Sequence, residues 1–329
     1  MVFAHLDIKQ SLVAKLADGR YHSGKALGES LGISRAAVWK QLQKLSEWGI
    51  ELDSCKRRGY RIPGGLSLLD SNIITHNLDS RVRASVVLEV YQQVDSTNEI
   101  AMGLARSRHA SGNMVLAEMQ TAGKGRRGRQ WVSPYGRNIY LSTVHHFTGG
   151  AAVTQGLSLA VGVVVVEVLH DMGIKDLQLK WPNDILWQGK KLGGILLEIS
   201  GDPAGSFDVI AGLGINVNMT LREGHEIGQQ WTTMSAITGA AINRSLLSAN
   251  LANGLLPMLA SYEARGFKHY RTAWQKLDSC LDQRVVLSVG EQEVSGIARG
   301  VTESGALRIE TSEGHQEFSG GEVSLRRPS

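Results

Sequence analysis

Apolar positions over the first fifty residues recur with a helical period. Leu6, Val13 and Leu16 fall on one face before Asp18-Gly19 stops the turn, and Ser23 is placed to cap a second helix through Leu27 and Leu31. Gly32-Ile33-Ser34 makes a tight turn, and Ser34 caps a third helix in which Val38, Leu42 and Leu45 recur at i, i+4 and i+7 and face inward. Gly49-Ile50 reads as a Schellman stop. Residues 50–55 and 59–62, around Lys56-Arg57-Arg58, predict a β-hairpin with a basic tip. Two helices joined by so short a turn and followed by such a hairpin make a winged helix-turn-helix.

Beyond Pro63-Gly64-Gly65, which reads as a linker, strand and helix periods mix without a βαβ rhythm. Strands are expected at 86–94, 114–119, 139–145, 177–181, 185–187, 192–199 and 209–218. Helices are expected at 96–106, 153–172 and 245–265, with 267–277 continuing the last. One sheet with helices to one side, an α+β domain, is the expected layout. From Cys280 the pattern turns to short strands with turns at Gly290-Glu291 and Ser304-Gly305, a small β-barrel module. The expected domains are 1–63, 66–274 and 275–329.

Composition changes this picture little, but charge does. With 42% hydrophobic and 20% charged residues the 329-residue chain can bury a sizeable core without metals or crosslinks. Cys55 and Cys280 stand far apart without CxxC spacing, against a disulfide framework or a structural zinc, and a cytoplasmic setting fits. The apolar run 157–169 is interrupted by Ser158, Gly162 and Glu167 and is short of the roughly 18 residues of a membrane span, so it reads as a buried helix. The net charge of +4 is unevenly spread: residues 1–63 hold 11 Lys/Arg against 6 Asp/Glu, the remainder 24 against 25. The basic excess therefore lies in the winged helix. A solvated basic face would explain charge alone; the helix-turn-helix pattern makes DNA the better reading. Ser23, Ser34, Arg35, Ala36, Lys40 and Lys44 are the candidate contacts of the helices, and Lys56, Arg57 and Arg58 those of the wing on phosphates.

The densest candidate chemistry is Gly123-Lys124-Gly125-Arg126-Arg127-Gly128-Arg129, followed by Trp131. Its glycines let backbone amides point inward, and its guanidinium forks suit phosphate and carboxylate oxygens. GxxxxGK[ST] is absent, and although Gly123, Gly125 and Gly128 have GxGxxG spacing, outside a βαβ rhythm it does not read as a dinucleotide fingerprint. Asp95-Ser96-Thr97-Asn98 opens a helix and reads first as its cap. In Lys180-Trp181-Pro182-Asn183-Asp184 polar groups emerge at a strand end, where Asp184 is placed to hold magnesium or a substrate group or simply to make a turn. Glycine in strands at 193, 194, 212 and 214 leaves a platform without side chains, suited to a flat ligand. A small acid and a nucleotide would lie across it, under the Arg-rich loop and beside a strand lysine.

These motifs, with His22-Ser23-Gly24, Ser34-Arg35-Ala36-Ala37, Lys191 to Gly194, Gly212 to Asn216 and Gly320-Gly321-Glu322-Val323-Ser324-Leu325-Arg326, resemble in their joint order the bifunctional biotin–protein ligases that also repress the biotin operon. The likeness spans essentially the whole chain. It implies a winged helix-turn-helix, a class II synthetase-like catalytic domain and an SH3-like C-terminal domain. It implies biotin contacts at Ser96, Thr97, Asn98, Gln120, Gly125, Arg126 and Lys191, with Lys124 and Gly194 beside them. Around the adenylate it implies Arg126, Arg127, Asn183, Asp184, Asn216, Trp231 and Arg326. Arg126 and Lys191 would be catalytic, and no fixed metal site is implied beyond Mg2+ carried with ATP near Asp184. The implied partners are the biotin carboxyl-carrier protein of acetyl-CoA carboxylase, operator DNA and, once biotinyl-5'-AMP is bound as corepressor, a second copy of the chain; no membrane is implied. The family loop usually reads Gly-Arg-Gly-Arg-x-Gly-Arg, and Lys124 replaces its first Arg, keeping charge and losing the two-pronged fork. A lipoate–protein ligase and a ligand-sensing regulator without catalysis are the alternatives.

Overall fold

The computed structural model describes residues 8–107, 111–202, 204–290 and 292–319 and the backbone of 323–326; Leu6, Gly320, Gly321 and Glu322 lie outside them. Three helices, α1 (Ile8–Leu16), α2 (Gly24–Leu31) and α3 (Arg35–Gln43), precede a hairpin of β1 (Asp53–Cys55) and β2 (Gly59–Arg61). The expected caps are made: Ser23 Oγ accepts the Ala26 amide at 3.0 Å and Ser34 Oγ the Ala37 amide at 3.1 Å. Val13, Leu16, Leu27, Val38, Leu42 and Leu45 are buried together. The Schellman stop closes through Ile50 N to Leu45 O at 3.1 Å. His22 exchanges both backbone bonds with Tyr60 at 2.8 and 2.9 Å, which adds a one-residue bridge to the wing. Gly59 permits that approach, because a Cβ there would lie 2.0 Å from His22 O. The module is docked: Trp48 stacks on Tyr135 of the next domain, centroids 4.6 Å apart.

The central domain opens with two short helices that the hydrophobic pattern does not reveal, α4 (Ser71–His76) and α5 (Ser80–Ser85). There follow β3 (Val87–Tyr91), α6 (Thr97–Arg106), β4 (Asn113–Ala117), β5 (Ile139–Phe147), α7 (Leu157–Asp171), β6 (Leu177–Lys180), β7 (Asp184–Trp187), β8 (Lys190–Gly201) and β9 (Phe207–Ile215). The seven strands form one sheet in the order β3-β4-β5-β9-β8-β7-β6, with β3 and β4 parallel and every other pair antiparallel. Then come α8 (Met234–Thr238), α9 (Arg244–Arg265) and α10 (Lys268–Leu277). Gly266, at φ 60°, separates the last two, so 267–277 is a helix of its own and does not continue α9.

Side chains alternate across a strand, and the alternation corrects the one-sided layout. Leu141, Phe147, Val209, Leu213 and Ile215 share a core with α7 and α9. Val144 and Ile210 point the other way and pack with Ala101 and Ala105 of α6. The helices thus lie on both faces, with α6 alone on the second among the described residues. Residues 151–171 do reach the length and hydropathy of a membrane span, more than the interrupted run suggested, yet α7 lies in the core with Leu157, Leu159 and Val161 to Val166 buried.

A buried ion pair ties the linker to this domain. Arg244 Nη1 donates to Glu118 Oε2 at 2.5 Å and to Ser67 O at 3.0 Å, Arg244 Nε to Asn138 O at 2.8 Å, and Glu118 Oε1 accepts the Leu69 amide at 2.6 Å. Both side chains are shut from solvent (0% and 1% exposed), so removal of either partner strands a charge. The C-terminal SH3-like module is a five-stranded antiparallel sheet, β13-β12-β11-β10-β14, of β10 (Arg284–Val289), β11 (Gln292–Val301), β12 (Leu307–Thr311), β13 (Gly314–Phe318) and β14 (Val323–Arg326). Trp181 Nε1 donates to Gly305 O at 3.0 Å, joining it to the β6–β7 turn.

Candidate active site and DNA-facing surface

A cavity of about 300 Å³ opens on the α6 face of the sheet, at the low end of ligand-pocket sizes. Its floor is β8 and β9, where Gly194 pairs with Gly214 and Leu196 with Gly212. The glycines are needed, though not to leave an open platform. A Cβ at Gly212 would lie 2.2 Å from Asn98 Oδ1, and one at Gly214 2.5 Å from the Trp131 indole. The flat group on the platform is the protein's own Trp131, whose Nε1 is buried without an acceptor. Lys191 Nζ stands 5.5 Å from the centroid of that ring.

The start of α6 forms one wall. Ser96 is its N-cap residue, yet its side chain makes no capping bond. That role falls to Gln120, whose Oε1 accepts the Thr97 amide at 2.8 Å from 23 residues away. Gln120 Nε2 donates to Ser133 Oγ at 3.0 Å. The hydroxyl of Ser96 is thereby left out of the cap, and Ser96, Thr97, Asn98 and Gln120 all line the cavity.

The Arg-rich loop forms the opposite wall as a small hairpin. Gly125 N donates to Arg129 O at 2.7 Å and Trp131 N to Gly123 O at 2.8 Å. Arg127 takes the left-handed conformation, φ 57°, at the tip, a cost of about 1–2 kcal/mol for a residue with a Cβ. Arg126 Nη1 donates to Asn183 Oδ1 at 3.3 Å. Burial depresses the Arg126 pKa, Arg127 and Arg129 add to this, and Asp184 opposes it. Lys124 behaves differently: its ammonium pairs with Glu99 on α6, and that bond raises its pKa.

The third wall is the β6–β7 turn. Asn183 is held by β8 in both directions, Asn183 Nδ2 to Ile195 O at 2.8 Å and Ile195 N to Asn183 O at 3.0 Å. Asp184 Oδ1 receives Lys191 Nζ at 2.7 Å. An ammonium has three donors, so this pair occupies one. Lys124, Arg126, Arg127, Arg129, Lys180 and Lys191 line the cavity against one carboxylate, Asp184.

Every biotin candidate, and Arg127, Asn183 and Asp184, therefore lines one cavity. Two nucleotide candidates do not. Asn216 is buried at the end of β9, its Nδ2 3.4 Å from Lys191 O, and Trp231 lies against Gly224 and pairs by backbone with Lys191. They flank Lys191 from the far side of its strand; Gln229 is the residue of that segment that reaches the cavity. Arg326 is in β14 opposite Val286, its side chain outside the described residues. Residue-type reasoning also passes over Tyr140, Ser142 and Glu198. The even-numbered spacing of Tyr140, Ser142, Gly212 and Gly214 on adjacent strands was the available signal.

On the N-terminal module Arg35, Ala36 and Lys40 are exposed along α3, Lys44 just past its end, and Lys56, Arg57 and Arg58 at the wing tip. Arg58 lies 4.2 Å from the Tyr21 ring, which holds it near α2. Ser23 and Ser34 are exposed, but their hydroxyls are committed to capping. Trp39, 55% exposed on the same helix, is a surface aromatic that the periodicity did not single out.

Fold and site together define an enzyme that handles anions on a glycine-floored sheet and carries its own DNA-binding module. The biotin/lipoate A/B protein ligase family matches residues 90–216, the biotin protein ligase C-terminal domain residues 280–326, and an HTH domain residues 9–61. The chain is 40% identical over 316 residues to the bifunctional ligase/repressor BirA of Salmonella typhimurium, covering 96% of this chain and 97% of that protein. It is 34% identical over 238 residues to the biotin–[acetyl-CoA-carboxylase] ligase of Paracoccus denitrificans, covering 70% and 97%. The biotin protein ligase of Aquifex aeolicus, solved in complex with biotin and ATP, superposes with a TM-score of 0.63 at 32% identity, over 73% of this chain and 99% of that one. The chain belongs to the bifunctional biotin protein ligase/repressor family, enzymes of biotin attachment that also act as DNA-binding repressors.

Proposed function

We propose that the cavity takes biotin along α6 and ATP under the loop, and runs adenylation and transfer in one place. The observation that carries this is the cluster of six cations around a single carboxylate above a glycine floor. Biotin carboxylate and ATP repel one another, and fixed positive charge offsets that repulsion as the transition state forms. A biotin carboxylate oxygen attacks the α-phosphorus, the bond from that phosphorus to the α,β-bridging oxygen breaks, and pyrophosphate leaves with its electron pair. A lysine amine of the acceptor then attacks the biotinyl carbonyl, AMP departs, and the amine proton goes to solvent.

In this reading Ser96, Thr97, Asn98, Gln120, Gly125 and Gly194 hold biotin. Arg126 and Lys191 carry the charge in flight, and Arg127 and Asn183 help to keep the phosphates. Lys191 has two donors beyond its Asp184 bond, in keeping with a part in the first step. Asp184 is the cavity's one carboxylate, and Mg2+ held by one carboxylate together with phosphates is ordinary coordination. Asp184 would hold that ion, which supplies charge neutralisation when bound. Asn216 and Trp231 would reach the nucleotide after the segments bearing them close on it, Arg326 would join them there, and closure protects the labile anhydride from water. Units 1–63, 66–274 and 275–329 divide the labour.

The acceptor is the biotin carboxyl-carrier domain of acetyl-CoA carboxylase, in the cytoplasm. Biotinyl-5'-AMP is the corepressor whose binding favours a homodimer, setting two winged helices on operator half-sites. Intact mass of a carrier domain after incubation with the protein, biotin and Mg-ATP tests the ligase reading. One added biotinyl group is expected, and addition of lipoate instead would overturn it. Sedimentation without a mass increase on adding biotin and ATP would overturn the dimer.

A further inference from the structure

Of the seven tryptophans, Trp39 alone is exposed; the other six are buried or half-buried. It stands at the middle of α3 with 55% of its surface open. A lone apolar side chain needs no account on an ordinary surface. This one lies on the helix that a helix-turn-helix offers to DNA, and its neighbours decide what it can meet.

At about 100° per residue, Arg35, Trp39, Gln43, Ala36 and Lys40 follow one another around α3 over an arc of roughly 140°. All five are exposed. The three uncharged residues thus form a stripe, with Arg35 along one border and Lys40 along the other. Arg35 is backed by the wing, since a Cβ at Gly24 would lie 3.4 Å from the side chains of both Arg35 and Tyr60. No carboxylate interrupts α3. Each described carboxylate of the module already has a basic partner: Asp18 with His22, Glu29 with Lys25, Glu47 with Lys9, Glu51 with Arg222 and Asp53 with Arg61. The surface around the stripe is therefore free to take phosphates on both sides.

Within the major groove every base edge carries hydrogen-bonding groups, and only thymine adds an apolar one, its C5 methyl. An indole has one donor, Nε1, and no acceptor. Laid on guanine, adenine or cytosine its ring would cover polar atoms that it cannot pair. On a thymine methyl it loses nothing. Ala36, three residues before Trp39, is its neighbour on the helix surface and widens the apolar spot.

We infer that Trp39 is a specificity-determining residue of the DNA-binding module, its indole seated on a thymine C5 methyl while Arg35 and Lys40 hold the flanking phosphates. The inference rests on the operator-DNA reading of the module.

The test uses the full chain with biotin and Mg-ATP, and a pool of duplexes with 40 random base pairs from which the tightest binder is selected. That duplex is remade with each thymine in turn replaced by deoxyuridine, which removes only the methyl. At one thymine or more, binding should weaken about fourfold, the worth of one buried methyl. Trp39→Ala should bind the original duplex about tenfold more weakly and be indifferent to the same replacement, with Tm and the salt dependence of binding little changed. Trp39→Phe, still apolar, should keep the preference for thymine over uracil. Arg57→Ala should do the reverse of Trp39→Ala, lowering the salt slope by about one and leaving the methyl preference intact.

The inference is overturned if no deoxyuridine weakens binding, if Trp39→Ala keeps the methyl preference, or if Trp39→Phe behaves as Trp39→Ala. Unchanged DNA binding by Trp39→Ala with a changed sedimentation mass would give the indole to a second copy and overturn it too. If the unaltered protein selects no duplex from the pool, the operator-DNA reading falls and takes the inference with it.

Discussion

The two walls of the cavity are built on opposite plans. Along α6 the polar side chains are matched to one another: Gln120 to Thr97, Ser142 to Asn98, Asn98 to Glu198. In the loop the order comes from three backbone bonds, and burial, with Arg127 and Arg129 close by, holds the Arg126 pKa down. The first wall is complete without a ligand and suits a neutral polar ring, whose binding requires fixed donors and acceptors. The second gathers positive charge and suits an anion. Specificity should therefore live on α6 and rate on the loop side.

The sharpest way to break this division is Gly212→Ala. Its Cβ would lie 2.2 Å from Asn98 Oδ1, so Asn98 must move and the matched wall loses its register. Biotin-dependent exchange should fall at least about a hundredfold, as for misplacement of a binding group by about 1 Å, while far-ultraviolet circular dichroism is retained. Normal exchange would show that the wall tolerates rearrangement. Lys191→Ala attacks the other side. Single-turnover adenylate formation should slow by about two to three powers of ten, with biotin affinity by calorimetry nearly unchanged. Lost affinity at an unchanged rate would reverse the assignment.

Arg126→Gly should act next in size and by another route, since it removes the guanidinium held over Asn183. Adenylate should escape about tenfold faster in a pulse-chase of labelled biotin, within the usual worth of a charge-assisted hydrogen bond. An unchanged escape rate would leave closure to the segment bearing Trp231.

How legible these walls were in the sequence follows from the range of the contacts. The glycine floor and the capped start of α6 rest on spacing within one strand or one turn, and both were readable. The capping acceptor was not: Gln120 reaches Thr97 through the β4 crossover, and Glu198 meets Asn98 from 100 residues away. The glycine platform was seen as open because nothing local says that Trp131 folds back onto it. The two-sided sheet was missed for a similar reason, because α6 buries small residues, Ala101 and Ala105, that give only a faint apolar stripe. The winged helix, whose contacts lie within some forty residues, came through nearly whole.

Lys124 offers the finest test, because it belongs to the loop in sequence and to the α6 wall by contact. Its partner Glu99 is 53% exposed and Lys124 itself 39%, so solvent screens the pair. Such pairs contribute about 0–1 kcal/mol. Lys124→Ala should therefore raise KM for biotin by less than about fivefold, and the difference should shrink above roughly 0.5 M salt as screening shortens the reach of the charge. Lys124→Arg should sit close to the starting protein, because a single exposed carboxylate does not need a two-pronged donor. If Lys124→Ala instead cost as much as Arg126→Gly and kept that cost in salt, Lys124 would be gripping ligand in the cavity, and the line between the walls would have to be moved one residue along the loop.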